Sequence, residues 1–219
     1  NCGAAQPDAL LPGSGALDGD GDRILLKDKH GRLLSGDHIL LYLCEMQKTP
    51  GIIGTVMTNQ AVAAYCNRHQ LVFHRTDVGD RHVRNTMNET GIPLGGETSG
   101  HIIFDPLNHT GDGLAVFLLL QQLMVEHNHT LEEIYDRYPM MPQTLLNVNV
   151  ARRIPLDEIP GLIDLMGQLE PKVKAADGRL FPRYSGTENL LRFLIESLDD
   201  DLNRNVAASI EEFFQTRRS

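Results

Sequence analysis

The sequence is short of what several large functional classes require. Its 219 residues hold three cysteines, Cys2, Cys44 and Cys66. They are scattered, odd in number and form no CxxC pair, which argues against a zinc site or a disulfide framework and for reduced, packed thiols in the cytosol. Positive charge is scarce. Against 29 Asp and Glu stand 20 Lys and Arg, a formal charge of −9. This excess of acid disfavours non-specific nucleic-acid binding, and an anionic ligand would need locally concentrated arginines. The longest apolar stretch, Leu114 to Leu120, is far too short to span a bilayer, and no secretory signal is visible. Internal repeats and low-complexity tracts are absent. So is an initiator methionine: the chain opens at Asn1, and the expectation is a piece of a longer cytoplasmic protein. The 41% hydrophobic fraction suits one or two globular domains with ample core.

What the chain does have is a run of alternating aspartates and glycines, Asp18-Gly19-Asp20-Gly21-Asp22-Arg23. Carboxylates at i, i+2 and i+4 scatter around a helix but fall on one side of an extended segment. Packed together they repel unless a cation sits among them, and hard oxygen ligands suit Mg²⁺ or Ca²⁺. An EF-hand loop needs Gly at position six and Glu at twelve. Counted from Asp18, those positions hold Arg23 and Lys29, which excludes it. A solvated acidic turn is the plainer alternative. Arg23 weighs against it, because a guanidinium beside a cation makes sense where both share a phosphate.

Hydropathy and capping patterns predict alternating strands and helices. Strands are expected over 24–28, 52–58, 71–75 and 102–104, and helices from Asp37 to Met46, after Asn59, over 83–89 ending at Gly91, and from Leu114 to Glu126. Thr130 with Glu133 three residues on opens another helix. The alternation favours an α/β layer with mostly parallel pairing. Beyond a break at Pro139–Gln143, strands over 145–150, 180–184 and 190–197 and helices over 156–169 and 201–215 read as a compact α+β domain. Leu11–Gly15 reads as a flexible turn.

Three further loops carry chemistry-bearing residues. In Gly95-Gly96-Glu97-Thr98-Ser99-Gly100-His101, glycines bracket a carboxylate, two hydroxyls and an imidazole, a set that can hydrogen-bond sugar hydroxyls or form a plain glycine turn around a satisfied His101. Arg183-Tyr184-Ser185-Gly186-Thr187-Glu188-Asn189 with Arg192 lies between two predicted strands and offers forked guanidinium groups, hydroxyls and a glycine, the parts of a phosphate cradle; a hairpin with water-facing arginines is the alternative. Thr76-Asp77-Val78-Gly79-Asp80-Arg81, which follows a predicted strand and sets acidic groups beside Arg81 and His82, either contacts a ligand or forms an ion-paired turn. His127 and His129 read as surface residues at a helix end.

These loops, in this order, resemble the α-D-phosphohexomutase family over nearly the whole chain. Asp18–Arg23 resembles the family's metal-binding loop, Gly95–His101 its sugar-binding loop and Arg183–Arg192 its phosphate-binding loop. The bacterial phosphoglucosamine subgroup is the nearest, on Ala16–Arg23, Val78–Arg81 and the Asn1-Cys2-Gly3-Ala4 opening. That subgroup usually has Gln where Thr98 stands, and Ala and Pro at Tyr184 and Asn189.

The resemblance implies a mixed α/β three-layer domain followed by a smaller α+β C-terminal domain. It divides the chain into a second-domain remnant with the metal loop (1–25), a sugar-binding domain (26–141) and a phosphate-binding domain (142–219). It also implies Mg²⁺ on Asp18, Asp20 and Asp22; catalytic roles for Arg23 and His101; and sugar-phosphate contacts from Gly79, Asp80, Arg81, Glu97, Ser99, Arg183, Ser185, Gly186, Thr187 and Arg192. The activity implied for the intact enzyme is interconversion of glucosamine 6-phosphate and glucosamine 1-phosphate through a phosphoserine and a bisphosphorylated sugar, in the supply of cell-wall precursors. The family's phosphate-carrying serine loop has no counterpart here, so this stretch by itself is expected to be inactive. The partners are then a hexosamine phosphate and, as an open option, a second copy in a homodimer, with neither nucleic acid nor membrane. Phosphomannomutase or phosphoglucomutase activity, and a non-catalytic sugar-phosphate-binding module, stand as alternatives.

Overall fold

In the computed structural model, which describes residues 4, 6–186 and 188–216, the chain divides into two compact units, Asn1–Met140 and Met141–Ser219. The first unit opens with a short 3₁₀ turn, Pro7–Ala9, and an antiparallel sheet of β1 (Gly15–Leu17), β2 (Ile24–Lys27) and β3 (Leu33–Leu34). β1 pairs with β2 in the register Gly15↔Leu26 and Leu17↔Ile24, which makes the acidic run the tip of a hairpin. Leu11–Gly15, expected to be flexible, is tied down. The Gly13 N–H donates to the Asp28 carbonyl (2.9 Å), the Lys27 N–H to the Ser14 carbonyl (2.8 Å), and Gly15 joins β1. The expected turn does form at Pro12–Gly13, with Gly13 in the left-handed region (φ +71°), and these long-range backbone hydrogen bonds fix it.

The rest of the unit alternates: α1 (Gly36–Gln47), β4 (Gly51–Thr55), α2 (Gln60–Arg68), β5 (Val72–Thr76), α3 (Asp80–Thr90), β6 (Leu94–Gly96), β7 (Ile102–Phe104), α4 (Gly113–His127) and α5 (Leu131–Arg137). The four-stranded sheet runs β5-β4-β6-β7. β4 is parallel to β5 and β6, and β6 is antiparallel to β7, so the pairing is mixed. Local chemistry explains the boundaries. β4 stops at Thr55, not Thr58, because the Thr58 hydroxyl accepts the Thr55 N–H (2.8 Å) and turns the chain. Asn59 caps α2 through its side chain (2.9 Å to the Ala61 N–H), and Gly91 ends α3 in the left-handed region (φ +71°). Thr130 and Glu133 form the expected capping box. Ile24, Leu26, Leu40, Leu43, Ile52, Leu94, Ile102 and Leu120 belong to one buried cluster, which binds both sheets into a single core.

The second unit is α+β. β8 (Gln143–Asn149), β9 (Arg179–Tyr184) and β10 (Leu190–Glu196) form an antiparallel sheet in the order β8-β10-β9. Its core joins Leu191, Phe193 and Ile195 to Met166 and Val173 of α6 (Leu162–Ala175) and to Val206 and Ile210 of α7 (Asp200–Gln215). The helix expected over 156–169 divides at Pro160. A 3₁₀ turn occupies Leu156–Glu158, and α6 starts after Gly161 (φ +77°). α6 then continues past Leu169 through Pro171, since burial of Leu162, Met166, Leu169 and Val173 outweighs one lost helical hydrogen bond.

Candidate functional site

The aspartate hairpin gathers its carboxylates as the spacing predicts. One ligating oxygen from each of Asp18, Asp20 and Asp22 lies within 4.8 Å of the others. The tip is stiffened by its own groups. The Arg23 N–H donates to Asp18 Oδ1 (3.2 Å), and the Arg23 guanidinium lies 3.5 Å from Asp18 Oδ2 and 3.9 Å from Asp22 Oδ1. Proximity splits the acidities. For Asp22, burial and then the neighbouring Asp18 carboxyl push the pKa above the ordinary carboxylate range, against the pull of His101. At Asp18, burial pushes the same way but is outweighed by the Arg23 N–H, the Asp22 side chain and the Arg23 charge, which leave the pKa below that range. Asp22 Oδ1 is buried and has no hydrogen-bond partner among the described residues. An orphaned carboxylate oxygen inside a set of three hard oxygen donors fits a divalent cation.

The second loop is the turn between β6 and β7, and it is stitched to the first. The Ile24 N–H donates to the Gly100 carbonyl (3.1 Å), Arg23 and His101 form an antiparallel backbone bridge, and His101 Nδ1 lies 2.9 Å from Asp22 Oδ2. Gly100 is required there: its φ is +93°, and a Cβ would sit 2.2 Å from the Ile24 carbonyl oxygen. The tip of the aspartate hairpin is also held from α4, whose Gly113 N–H donates to the Gly21 carbonyl (2.9 Å). Glu97 reaches the third loop, where its Oε1 accepts the Gly79 N–H (2.9 Å). Gly79 precedes α3, the Asp80 carboxylate accepts the Arg81 N–H (2.7 Å), and Arg81 is exposed. Among the described residues no ion pair joins Arg81 to Asp77 or Asp80, so the ion-paired-turn reading of that stretch is not what forms. The Ser99 hydroxyl is buried without a partner among the described residues.

Sequence reasoning missed what lies beneath this turn. The Asp37 carboxylate at the start of α1 accepts the Thr98 hydroxyl (2.8 Å) and the Asn59 N–H (3.1 Å), and the Gly36 N–H donates to the Thr98 carbonyl (3.0 Å). The helix start expected at Asp37 lies one residue late: Ser35 is the cap, and α1 begins at Gly36. His129, read as a surface residue, sits half-buried with its Nδ1 3.3 Å from the Tyr42 hydroxyl.

The third polar loop belongs to the second unit. Arg183 of β9 and Arg192 of β10 are register partners and so project from one face of the sheet. The Ser185 N–H closes the hairpin on the Leu190 carbonyl (2.9 Å). Arg192 does not point idly to water, since its Nη2 donates to Glu188 Oε2 (2.5 Å), to which Ser185 Oγ also donates (3.4 Å). Arg153, another residue absent from the sequence reading, donates from Nη2 to the carbonyls of Gly186 (3.1 Å) and Glu188 (2.9 Å). No sequence signal marked it, for it sits in an irregular segment without a motif. Thr187, and Asn1–Gly3 of the four-residue opening, lie outside the described residues.

Two adjoining models cover most of the chain: phosphoglucomutase/phosphomannomutase alpha/beta/alpha domain III matches residues 35–141, and the phosphoglucomutase/phosphomannomutase C-terminal domain matches residues 145–213. The chain belongs to this family. Curated relatives include the phosphoglucosamine mutase of Campylobacter concisus, 37% identical over 98% of this chain and 50% of its own length. That of Solidesulfovibrio magneticus is 40% identical over 90% of this chain and 45% of its own. This phosphohexomutase-family chain therefore spans about half the length of the curated relatives it matches. Among solved structures, Aspergillus fumigatus N-acetylphosphoglucosamine mutase in complex with GlcNAc-6P and magnesium superposes with a TM-score of 0.77 at 24% identity, covering 95% of this chain and 55% of that one. At that identity the likeness speaks for the fold. No helix among the described residues is long and apolar enough to cross a membrane.

Proposed function

We propose that the protein to which this chain belongs interconverts glucosamine 6-phosphate and glucosamine 1-phosphate. The observation that carries the reading is the joining of the aspartate hairpin to the Glu97–His101 turn, through Ile24–Gly100 and Asp22–His101, which brings a cation-ready carboxylate cluster beside a turn rich in sugar-type hydrogen-bonding groups. A divalent ion held by Asp18, Asp20 and Asp22, Mg²⁺ by family resemblance, supplies charge neutralisation during phosphoryl transfer. Arg23 steadies the phosphate in transit. Its guanidinium is about half exposed and flanks the cluster. Glu97 keeps one carboxylate oxygen on Gly79 and offers the other to a sugar hydroxyl, while Ser99 supplies a hydroxyl that lacks a protein partner.

Arg183, Ser185, Gly186, Thr187 and Arg192 hold the phosphate that is not reacting, and Gly79, Asp80 and Arg81 complete the substrate contacts. A grip on the remote phosphate orients the distant oxygen for reaction. The chain divides functionally at about residues 25 and 141, with the cation loop before the first boundary and the phosphate loop after the second.

Phosphomannomutase or phosphoglucomutase activity is the second reading, and Thr98 favours it. The phosphoglucosamine subgroup usually has Gln at that position, and the Thr98 hydroxyl here donates to Asp37. The test is turnover of glucosamine, glucose and mannose phosphates by the full-length protein with Mg²⁺. Preference for the glucosamine phosphates is expected. Equal or better turnover of mannose or glucose phosphates favours the second reading, and no turnover of any sugar phosphate overturns both.

A further inference from the structure

The loop joining β9 to β10 is fastened by a segment far from it in sequence, Val150–Ile154, just after β8. The Val150 N–H donates to the Asn189 carbonyl (3.0 Å). Arg153 Nη2 donates to the Gly186 carbonyl (3.1 Å) and to the Glu188 carbonyl (2.9 Å). The Tyr184 hydroxyl ties the same segment to β9: it donates to the Ile154 carbonyl (2.7 Å) and accepts the Ile154 N–H (3.4 Å). Pro155 disfavours helical backbone at Ile154, so these two bonds hold a residue whose conformation is already restricted.

Side chains alternate along a strand, so Tyr184 and Arg183 leave β9 on opposite faces. Tyr184 packs on the helix-covered core, as does its register partner Leu191. Arg183 and its register partner Arg192 lie on the other face. There Arg192 Nε is buried with no hydrogen-bond partner among the described residues, a guanidinium N–H left over for an anion. The peptide bonds are trans, and a trans peptide sets its N–H opposite its C=O. Drawing the Glu188 carbonyl to Arg153 therefore turns the next N–H, that of Asn189, away from Arg153.

We infer that Arg153 is a positioning residue for the phosphate loop: by holding the Gly186 and Glu188 carbonyls it fixes the turn that carries Ser185 and Gly186, while Arg183 and Arg192 grip the anion from the face opposite Tyr184. Tyr184 acts through Arg153, by anchoring Ile154 beside it. The inference rests on the cradle reading of Arg183–Arg192 above and adds to it the two side chains that hold the loop's backbone in place.

The test is titration of the 219-residue chain with glucosamine 6-phosphate, followed through the amide signals of Ser185, Gly186 and Asn189 in nitrogen-15 NMR. Arg153→Ala should weaken binding on the order of tenfold, and Tyr184→Phe, which deletes one hydroxyl and no charge, about threefold. Because Tyr184 acts through Arg153, the double variant should bind as Arg153→Ala does. Arg153 is exposed, so Arg153→Ala should melt with the parent. Arg183→Ala is the control for the cradle itself. If it binds more weakly while Arg153→Ala matches the parent, the inference is overturned and the cradle stands. If Arg183→Ala also matches the parent, or the parent does not bind, the cradle reading falls and the inference with it. A loss in Arg153→Ala with none in Tyr184→Phe, or losses that add in the double variant, would mean that the Arg153 charge meets the phosphate directly, which overturns the positioning role. Should Arg153→Ala fail to fold, Tyr184→Phe decides: a threefold loss supports the inference, and parental affinity overturns it.

Discussion

The Thr98 hydroxyl donates to the Asp37 carboxylate at 2.8 Å, so the polar turn after β6 hangs on the N-terminus of α1. Asp37 is 1% exposed and also accepts the Asn59 N–H. Asp37→Ala leaves buried donors without their acceptor. A destabilisation of about 1–3 kcal/mol is expected, read by urea unfolding, with Asp37→Asn less affected. An unchanged midpoint in Asp37→Ala would show that the turn is held by other contacts.

His38 makes the chain sensitive to mild acid. Burial lowers its pKa to about 4. Its neutral Nδ1 accepts the Ser35 N–H (3.2 Å), and its ring stacks on Tyr135 (centroids 5.1 Å apart), which also carries the Arg32 guanidinium (4.3 Å). The unfolded chain binds the proton at an ordinary pKa near 6.5, so between about pH 6.5 and 4 it holds more protons than the folded chain. Stability therefore falls as pH falls through that window, by about 2 kcal/mol at pH 5 from this residue. His38→Gln, which can accept from Ser35 but does not titrate, should flatten that part of the profile in melts taken at pH 7 and pH 5. An equally steep loss in the variant would place the sensitivity elsewhere.

Asp20 is the exposed member of the carboxylate cluster. Asp20→Asn removes one negative ligand without burying or freeing another group. Mg²⁺ affinity should drop about tenfold or more by calorimetry, with thermal stability in the absence of the ion within about 0.5 kcal/mol of the parent. Equal affinity would remove Asp20 from the ligand set.

Arg183 tests the phosphate cradle. In the full-length protein, Arg183→Ala should raise the Michaelis constant for the sugar phosphate on the order of tenfold, the loss of one charge-assisted hydrogen bond. Steady-state kinetics at saturating Mg²⁺ checks it. A fall in kcat with an unchanged Michaelis constant would show that Arg183 acts in the transition state instead.

Much of the site was legible because its loops are local in sequence. Three carboxylates two residues apart must share one side of an extended tip, and the caps at Asn59, Gly91 and Thr130 act within a few residues of themselves. The short strands escaped notice: β1, β3 and β6 span three, two and three residues, too few for an alternating pattern. Gly95 and Gly96, read as loop, belong to β6 because the sheet needs a backbone there that Val83, Met87 and Ile102 can approach closely.

By itself the amino-acid order determined which residue types cluster: aspartates in one tip, hydroxyls and an imidazole in a second turn, arginines in a third. Tertiary structure alone decided which of them meet. The partners of Asp22 and Thr98 lie 79 and 61 residues away, and no local periodicity encodes such a pairing. It is set by the register of β1–β2 and β6–β7 and by glycines at positions 36, 100 and 111, where a single added methyl would collide with a backbone or ring brought in from elsewhere in the chain.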